Sequence, residues 1–334
     1  MSNSQKARTT GSDYIMPRFT TATALFYQRL RLILQTNWRR NYSAGLLCAT
    51  TASASYPNFM RAIITGSNAG LGFHTAVALS KTNLEVVLAV RSEGRGEAAA
   101  KLIRAVNPAA EIEVAHLDLS SLESVRRFVV GQQGKPWDVL VNNAGAKIER
   151  PYKQTEDGFE WHTGVNHLGH FALTAGLWAS RGASAKVVTV SSVVANKAQL
   201  NEASTSLATF QEGRAYADSK LLNLLFAANL ARLIDMAGLQ ASSVAAHPGF
   251  ARAEPYGTKL TRLAELALAQ NARRGAESII QAVSRSNFDY LAPRFLQLWG
   301  KPANIMWPSR ALDLELMEKC WSEAELATGI LFRV

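Results

Sequence analysis

Short apolar runs rich in β-branched residues recur along the chain, each followed by a stretch with helical spacing, and this alternation most limits the fold. Arg61–Thr65 (RAIIT), Glu85–Val90 (EVVLAV), Glu111–His116, Asp138–Val141, Lys186–Val190 and Ala241–Ala246 read as strands. Helices are predicted from the glycines after Thr65 to Lys81, and over Glu93–Val106, Leu122–Gln133, Thr155–Ser180 and Gly213–Met236. Strands that are apolar throughout need cover on both faces, which helical crossovers supply in a parallel sheet. Right-handed crossovers then predict an α/β doubly wound parallel sheet with its ligand site at the carboxyl ends of the strands. No internal repeat beyond this alternation and no Pro- or Ser-rich linker divides residues 59–334, so they read as one domain.

Charge separates a leader from that domain. The chain of 334 residues carries a net charge of +10, yet residues 1–58 hold seven basic residues (Lys6, Arg8, Arg18, Arg29, Arg31, Arg39, Arg40) against the single acid Asp13. A basic, acid-poor segment rich in Ser, Thr and Ala has the composition of an organelle transit peptide; a disordered basic arm is the alternative. The expected location is accordingly a plastid or mitochondrion if the leader is a transit peptide, and the cytoplasm otherwise. No leader stretch is apolar enough to span a membrane, although Ala22–Gln35 would suit a surface-lying amphipathic helix making peripheral contact. The rest of the chain has no concentrated Lys/Arg stripe, which argues against nucleic acid as a partner. Two cysteines, Cys48 and Cys320, exclude a disulfide framework, and no His/Cys/Asp/Glu cluster has metal-ligand spacing.

The first chemical signal is Thr65-Gly66-Ser67-Asn68-Ala69-Gly70-Leu71-Gly72, set between the first strand and first helix. Backbone N–H groups and the helix dipole there suit a dinucleotide pyrophosphate. Gly66 allows the tight turn, Gly70 the approach of phosphate, and Gly72 close helix–strand packing. The second strand ends at Arg91, where an NAD site usually carries an acid; a basic residue suits a 2′-phosphate, so NADP is expected over NAD. Asp118 would either accept a bond from the adenine amino group or cap the helix beginning near Ser121. Tyr216 and Lys220 lie four apart in a predicted helix and share a face. A nearby ammonium favours phenolate, bringing the tyrosine into range as an acid/base.

With Asn142-Asn143-Ala144-Gly145, Asn166 in NHLGHF, Ser191-Ser192 ending VTVSS, YADSK (216–220) and His247-Pro248-Gly249, these motifs follow the order of the short-chain dehydrogenases/reductases. The resemblance spans about Met60 to Leu331 and is strongest to the retinol-dehydrogenase-like branch, which also resembles light-dependent protochlorophyllide reductase. Asp157-Gly158-Phe159-Glu160 and the tail Trp321–Gly329 are similar to that branch. It implies a Rossmann fold, with Tyr216 as acid/base and Lys220 bonding the nicotinamide ribose. It further implies that Ser192 bonds the substrate oxygen and that Asn166 holds a water relaying protons to Lys220. Asn142, Asn143, Ala144 and Gly145 would pack behind the cofactor, with Pro248 and Gly249 bordering the nicotinamide. The chain departs from the family at Ala253, where a Thr often bonds the carboxamide, and at Phe250, where protochlorophyllide reductases carry a Cys. His167 and His170 are expected to pack or bond locally.

The segment Phe250–Trp307 reads as a C-terminal lid over the substrate, with the stripe Leu260–Leu268 and Phe288, Tyr290, Phe295, Trp299 and Trp307; core or a homodimer interface would have the same composition. Such residues suit a bulky lipophilic carbonyl or alcohol, resembling a retinoid, lipid aldehyde or steroid. The expected activity is NADP-dependent hydride transfer to or from such a group. A light-driven reductase and a non-catalytic NADP(H) sensor or scaffold are the alternatives.

Overall fold

The computed structural model describes residues 61–82, 84–146, 151–200, 207–208, 210–250 and 269–334. The leader, Ala253 and the Leu260–Leu268 stripe lie outside the described residues. The strands are β1 (Arg61–Thr65), β2 (Glu85–Val90), β3 (Ile112–His116), β4 (Trp137–Asn142), β5 (Arg181–Val190), β6 (Ser242–Ala246), β7 (Tyr290–Phe295) and β8 (Trp299–Asn304). They form one eight-stranded sheet in the order β3-β2-β1-β4-β5-β6-β7-β8. β1 to β7 pair in parallel and β8 is antiparallel to β7. The chain is doubly wound from β1, and the carboxyl ends of β1 to β6 share one edge of the sheet.

Strand residues alternate between two cores, as a period of two requires. Ile63, Val87, Ala89, Leu140 and Val187 face one side. They pack against α3 (Leu122–Gly131), α5 (Glu212–Met236), α7 (Leu314–Thr328) and a composite helix, α4. Ala62, Ile64, Val86, Leu88, Val141 and Val188 face the other. There they meet α1 (Gly70–Leu79), α2 (Glu93–Val106) and α6 (Ala272–Ala282). Helix α4 runs through Trp161–Thr163, a π-helical turn Gly164–Leu168, and Gly169–Leu177. The π-turn has no counterpart in the sequence pattern, and it carries Asn166.

The β7–β8 hairpin takes the aromatics of residues 290–304 out of the expected lid and into the sheet. Tyr290 is buried in β7 against His247 and Trp307, and Trp299 opens β8, so these aromatics close the sheet. The turn between the strands has Leu296 and Gln297 at φ 50° and 57°, where Asn and Gly are the usual signals. Pro293 opposite Pro302 further hides both strands from pattern reading. At the other sheet edge, Arg104 donates to the Ile112 carbonyl at 2.8 Å.

The amino ends of the strands are joined by charge. Arg61, 4% exposed, pairs with Glu85 at 3.1 Å and Glu113 at 2.6 Å, while Gln132 and Lys135 also reach Glu113. Replacing Arg61 with Leu strands carboxylates around the start of β1. Both acids retain solvent contact, so the expected loss is about 2–3 kcal/mol, below the roughly 3–5 kcal/mol of fully buried pairs. Denaturant unfolding monitored by circular dichroism reads this as a lower midpoint with unchanged slope.

Candidate active site

Thr65, the last residue of β1, organises the edge on which the site stands. Its hydroxyl oxygen accepts from the backbone N–H groups of Asn143 (3.0 Å) and Ala144 (2.9 Å) and lies 2.9 Å from His170 Nε2. The other nitrogen of that ring, Nδ1, donates to the Asn166 carbonyl at 3.0 Å. Since a carbonyl only accepts, the proton sits on Nδ1, and neutral Nε2 accepts from Thr65. Burial pushes His170 down to about 4, consistent with this neutral tautomer. His167 instead packs against Phe171 and Phe226.

The Gly-rich turn fits a pyrophosphate. Gly66 and Gly70 have φ of 64° and 58°. A Cβ on Gly66 would meet Ala144 at 2.9 Å, whereas nothing lies within 4 Å of one on Gly70. A Cβ on Gly72 would meet the Gly66 carbonyl at 2.6 Å. Ala69 caps α1 without a side-chain bond, leaving the helix amino end without a side-chain acceptor there. Asn68 and Leu71 are half-buried on the same turn. Ser67, by contrast, turns inward, its buried hydroxyl donating to the Ile64 carbonyl at 2.9 Å, so only its backbone faces the cradle.

Neighbouring strand ends extend this surface. Arg91 is exposed just beyond β2. Asp118 follows β3, and its Oδ1 accepts from the backbone and hydroxyl of Ser120 at 2.9 and 2.7 Å. It caps no helix: Ser121 occupies the cap of α3, and Asp157 Oδ2 accepts from Leu122 N at 2.9 Å. Asn142, the first residue of the expected cofactor platform, turns inward. Its side chain is fully buried and donates to Thr174 Oγ1 at 3.0 Å, because it points toward α4. Its neighbour Asn143 donates to the Thr65 carbonyl at 2.8 Å and so locks the turn.

Two further side chains converge beside Gly145. A Cβ there would lie 3.2 Å from Asn166 Oδ1 and 3.4 Å from Lys220 Nζ, a tight fit that glycine avoids. Lys220 is 4% exposed; its Nζ reaches the Val190 carbonyl at 3.4 Å and stands 5.7 Å from the centre of the Tyr216 ring. Burial pushes its pKa down to about 8, so at neutral pH it remains an ammonium. Ser191 is buried and donates to the Lys220 carbonyl at 2.7 Å, fastening β5 to α5. Ser192, half-buried after the end of β5, is the serine at the surface of this edge. Pro248 and Gly249 follow β6, and Gly249 (φ 70°) approaches the Leu298 carbonyl too closely for a Cβ.

The Asn166 side chain is tied into the protein at each of its polar atoms. Both its amide N–H groups are committed, to the Ala146 carbonyl at 3.1 Å and to Ser219 Oγ at 2.9 Å, while Oδ1 accepts from Ala146 N at 2.7 Å. Ser219 in turn donates to the Tyr216 carbonyl at 2.8 Å. The side chain therefore clamps the segment after Gly145 to the helix bearing Tyr216 and Lys220. Among the described residues, no group of three His, Cys, Asp or Glu could hold a metal ion, and no helix is long and apolar enough to cross a membrane.

Burial also lowers His167 to about 3 and His247 to about 4. These imidazoles stay neutral in the folded chain but protonate near 6.5 when unfolded. Stability is therefore full above pH of about 6.5 and falls toward about 4, as the unfolded state gains protons that the folded state refuses. Melting temperature measured between these limits is expected to fall with pH; a flat profile from pH about 6.5 to 5 would contradict the neutral assignments.

The short chain dehydrogenase family model matches residues 60–254. Human retinol dehydrogenase 12 is 33% identical over 304 residues, covering 87% of this chain and 92% of that protein. Mouse polyprenol dehydrogenase is 35% identical, covering 80% and 83% respectively. Among solved structures, an uncharacterized protein from Mycobacterium paratuberculosis is 35% identical with a TM-score of 0.70, covering 85% of this chain and all (100%) of that one. A blue fluorescent protein from a metagenomic library in complex with NADPH shares the fold at 21% identity and a TM-score of 0.54, over 69% of this chain and 91% of that one. The Gly-rich cradle, the Tyr216/Lys220 pair and the doubly wound sheet thus have a common explanation: this chain is an oxidoreductase of the short-chain dehydrogenase family, in its retinol-dehydrogenase-like branch.

Proposed function

We propose that the protein transfers hydride between NADP(H) and a lipophilic carbonyl/alcohol pair. The observation that carries this reading is the buried Lys220 ammonium, set between Gly145 and the Tyr216 ring. A bound nicotinamide supplies or takes the hydride; the protein handles the proton and the developing charge. In the reducing direction the Tyr216 hydroxyl gives its proton to the substrate oxygen, with Ser192 donating a second hydrogen bond to that atom. The Lys220 charge favours the phenolate that remains. Asn166 keeps helix and cofactor platform in register through Ser219 and Ala146. The retinol and polyprenol dehydrogenases similar to this chain support a long apolar alcohol or aldehyde as substrate.

A dark screen of NADPH oxidation over retinal, long-chain aldehydes and keto-steroids tests this reading. Turnover is expected with at least one class, and Tyr216→Phe is expected to lower kcat by about 10²–10⁴-fold, the usual contribution of a general acid. Hydride transfer at the wild-type rate in that variant would overturn the mechanism.

Arg91, exposed at the end of β2, supports the phosphate-bearing cofactor. Arg91→Glu is expected to weaken NADPH binding at least tenfold, about 1.4 kcal/mol, while NADH binding is held or improved. Titration of cofactor fluorescence reads both constants; equal effects on the two cofactors would remove Arg91 from the phosphate site.

A further inference from the structure

Helix α4 is capped unlike the other side-chain-capped helices described. Ser121, Asn271 and Asp313 cap α3, α6 and α7 with short side chains, the last two exposed. At α4 the cap is Glu160, whose side chain is 1% exposed. Its Oε2 accepts from Thr163 N at 2.8 Å, and its Oε1 accepts from His162 N at 2.9 Å and from the His162 ring Nδ1 at 2.7 Å. Burial pushes this carboxyl upward, but the bonds from the ring and backbone more than offset it, leaving the group below the usual carboxylate range. An anion buried this deeply exceeds what a helix cap needs, since a serine does the same work at α3.

The additional consequence is the fixed ring. A carboxylate only accepts, so Nδ1 carries its hydrogen toward Glu160, and that bond sets the plane of the imidazole. The ring, 0% exposed, meets the Tyr216 ring at 6.1 Å between centroids and 72° between planes, an edge contact. Lys220 Nζ stands near the same phenol ring, 5.7 Å from its centre. We infer that the Glu160–His162 pair is a positioning element for Tyr216, holding the phenol where it can reach a substrate oxygen. The inference rests on Tyr216 being the acid/base group proposed above. His162 acts through the tyrosine and does not itself exchange the proton.

His162→Gln isolates this role, because glutamine keeps an N–H donor for Glu160 but removes the ring from Tyr216. With the carbonyl found in the dark screen, kcat is expected to fall at least tenfold while KM, NADPH affinity and melting temperature stay within experimental scatter; small misplacements of reacting groups carry losses of this order. Near-ultraviolet circular dichroism gives a readout independent of turnover. The signal of an immobilised Tyr216, obtained by subtracting the spectrum of Tyr216→Phe, is expected to shrink in the His162→Gln background. An unchanged kcat with an unchanged Tyr216 signal overturns the inference, as does a loss that merely tracks melting temperature or cofactor affinity. Wild-type activity in Tyr216→Phe would instead overturn the underlying reading, and the dichroism would still report whether His162 orders the ring.

Discussion

The hydroxyl of Thr65 and the ring of His170 form the joint on which the site is assembled. Through it the end of β1, the turn after β4 and the π-turn of α4 become one hydrogen-bonded unit. Each group in the joint is buried, and each has a partner of the required polarity, so the geometry tolerates little alternative. A fold that merely stacked helices on a sheet would leave these segments free to slide. Here the dinucleotide turn and the helix carrying Asn166 share one network, and Asn166 passes it on to the helix of Tyr216 and Lys220.

Burial and specificity come from the same device. The two cores are built from alternate residues of the same strands, so no strand can slip by one position without inverting its packing. That fixes the carboxyl ends at one level and lets single atoms matter there. Gly145 and Gly72 illustrate the tolerance: the first leaves room for Lys220 and Asn166, the second for the backbone of Gly66. The Asp118 and Asp157 carboxylates show the same economy, one ordering the bend after β3 and the other capping α3 from a distant loop.

Most of the sheet was legible because its strands are apolar throughout, and α2 was readable residue for residue from its spacing and its stop at Asn107-Pro108. The helix face shared by Tyr216 and Lys220 was readable for the same geometric reason. What the sequence hid was direction and partnership. Asn142 and Asn143 are adjacent and chemically identical, and only the strand's pleat decides that the first faces the core and the second the turn. His170 gains its role from Thr65, and His162 from Tyr216, contacts with residues distant in sequence that no local pattern encodes. The β7–β8 hairpin was hidden because its turn uses leucine and glutamine in left-handed backbone, and its strands contain prolines.

Those prolines bear on how copies of the chain meet. A parallel sheet of this width would ordinarily end in a row of open donors and acceptors, a template onto which another chain could add strand by strand. The antiparallel β8 closes one side with Pro302, which has no N–H to offer, and Lys301 is exposed beside it. On the opposite side the Arg104 guanidinium already occupies the Ile112 carbonyl. Both flanks therefore offer fewer open backbone groups to an incoming strand than a bare sheet edge would.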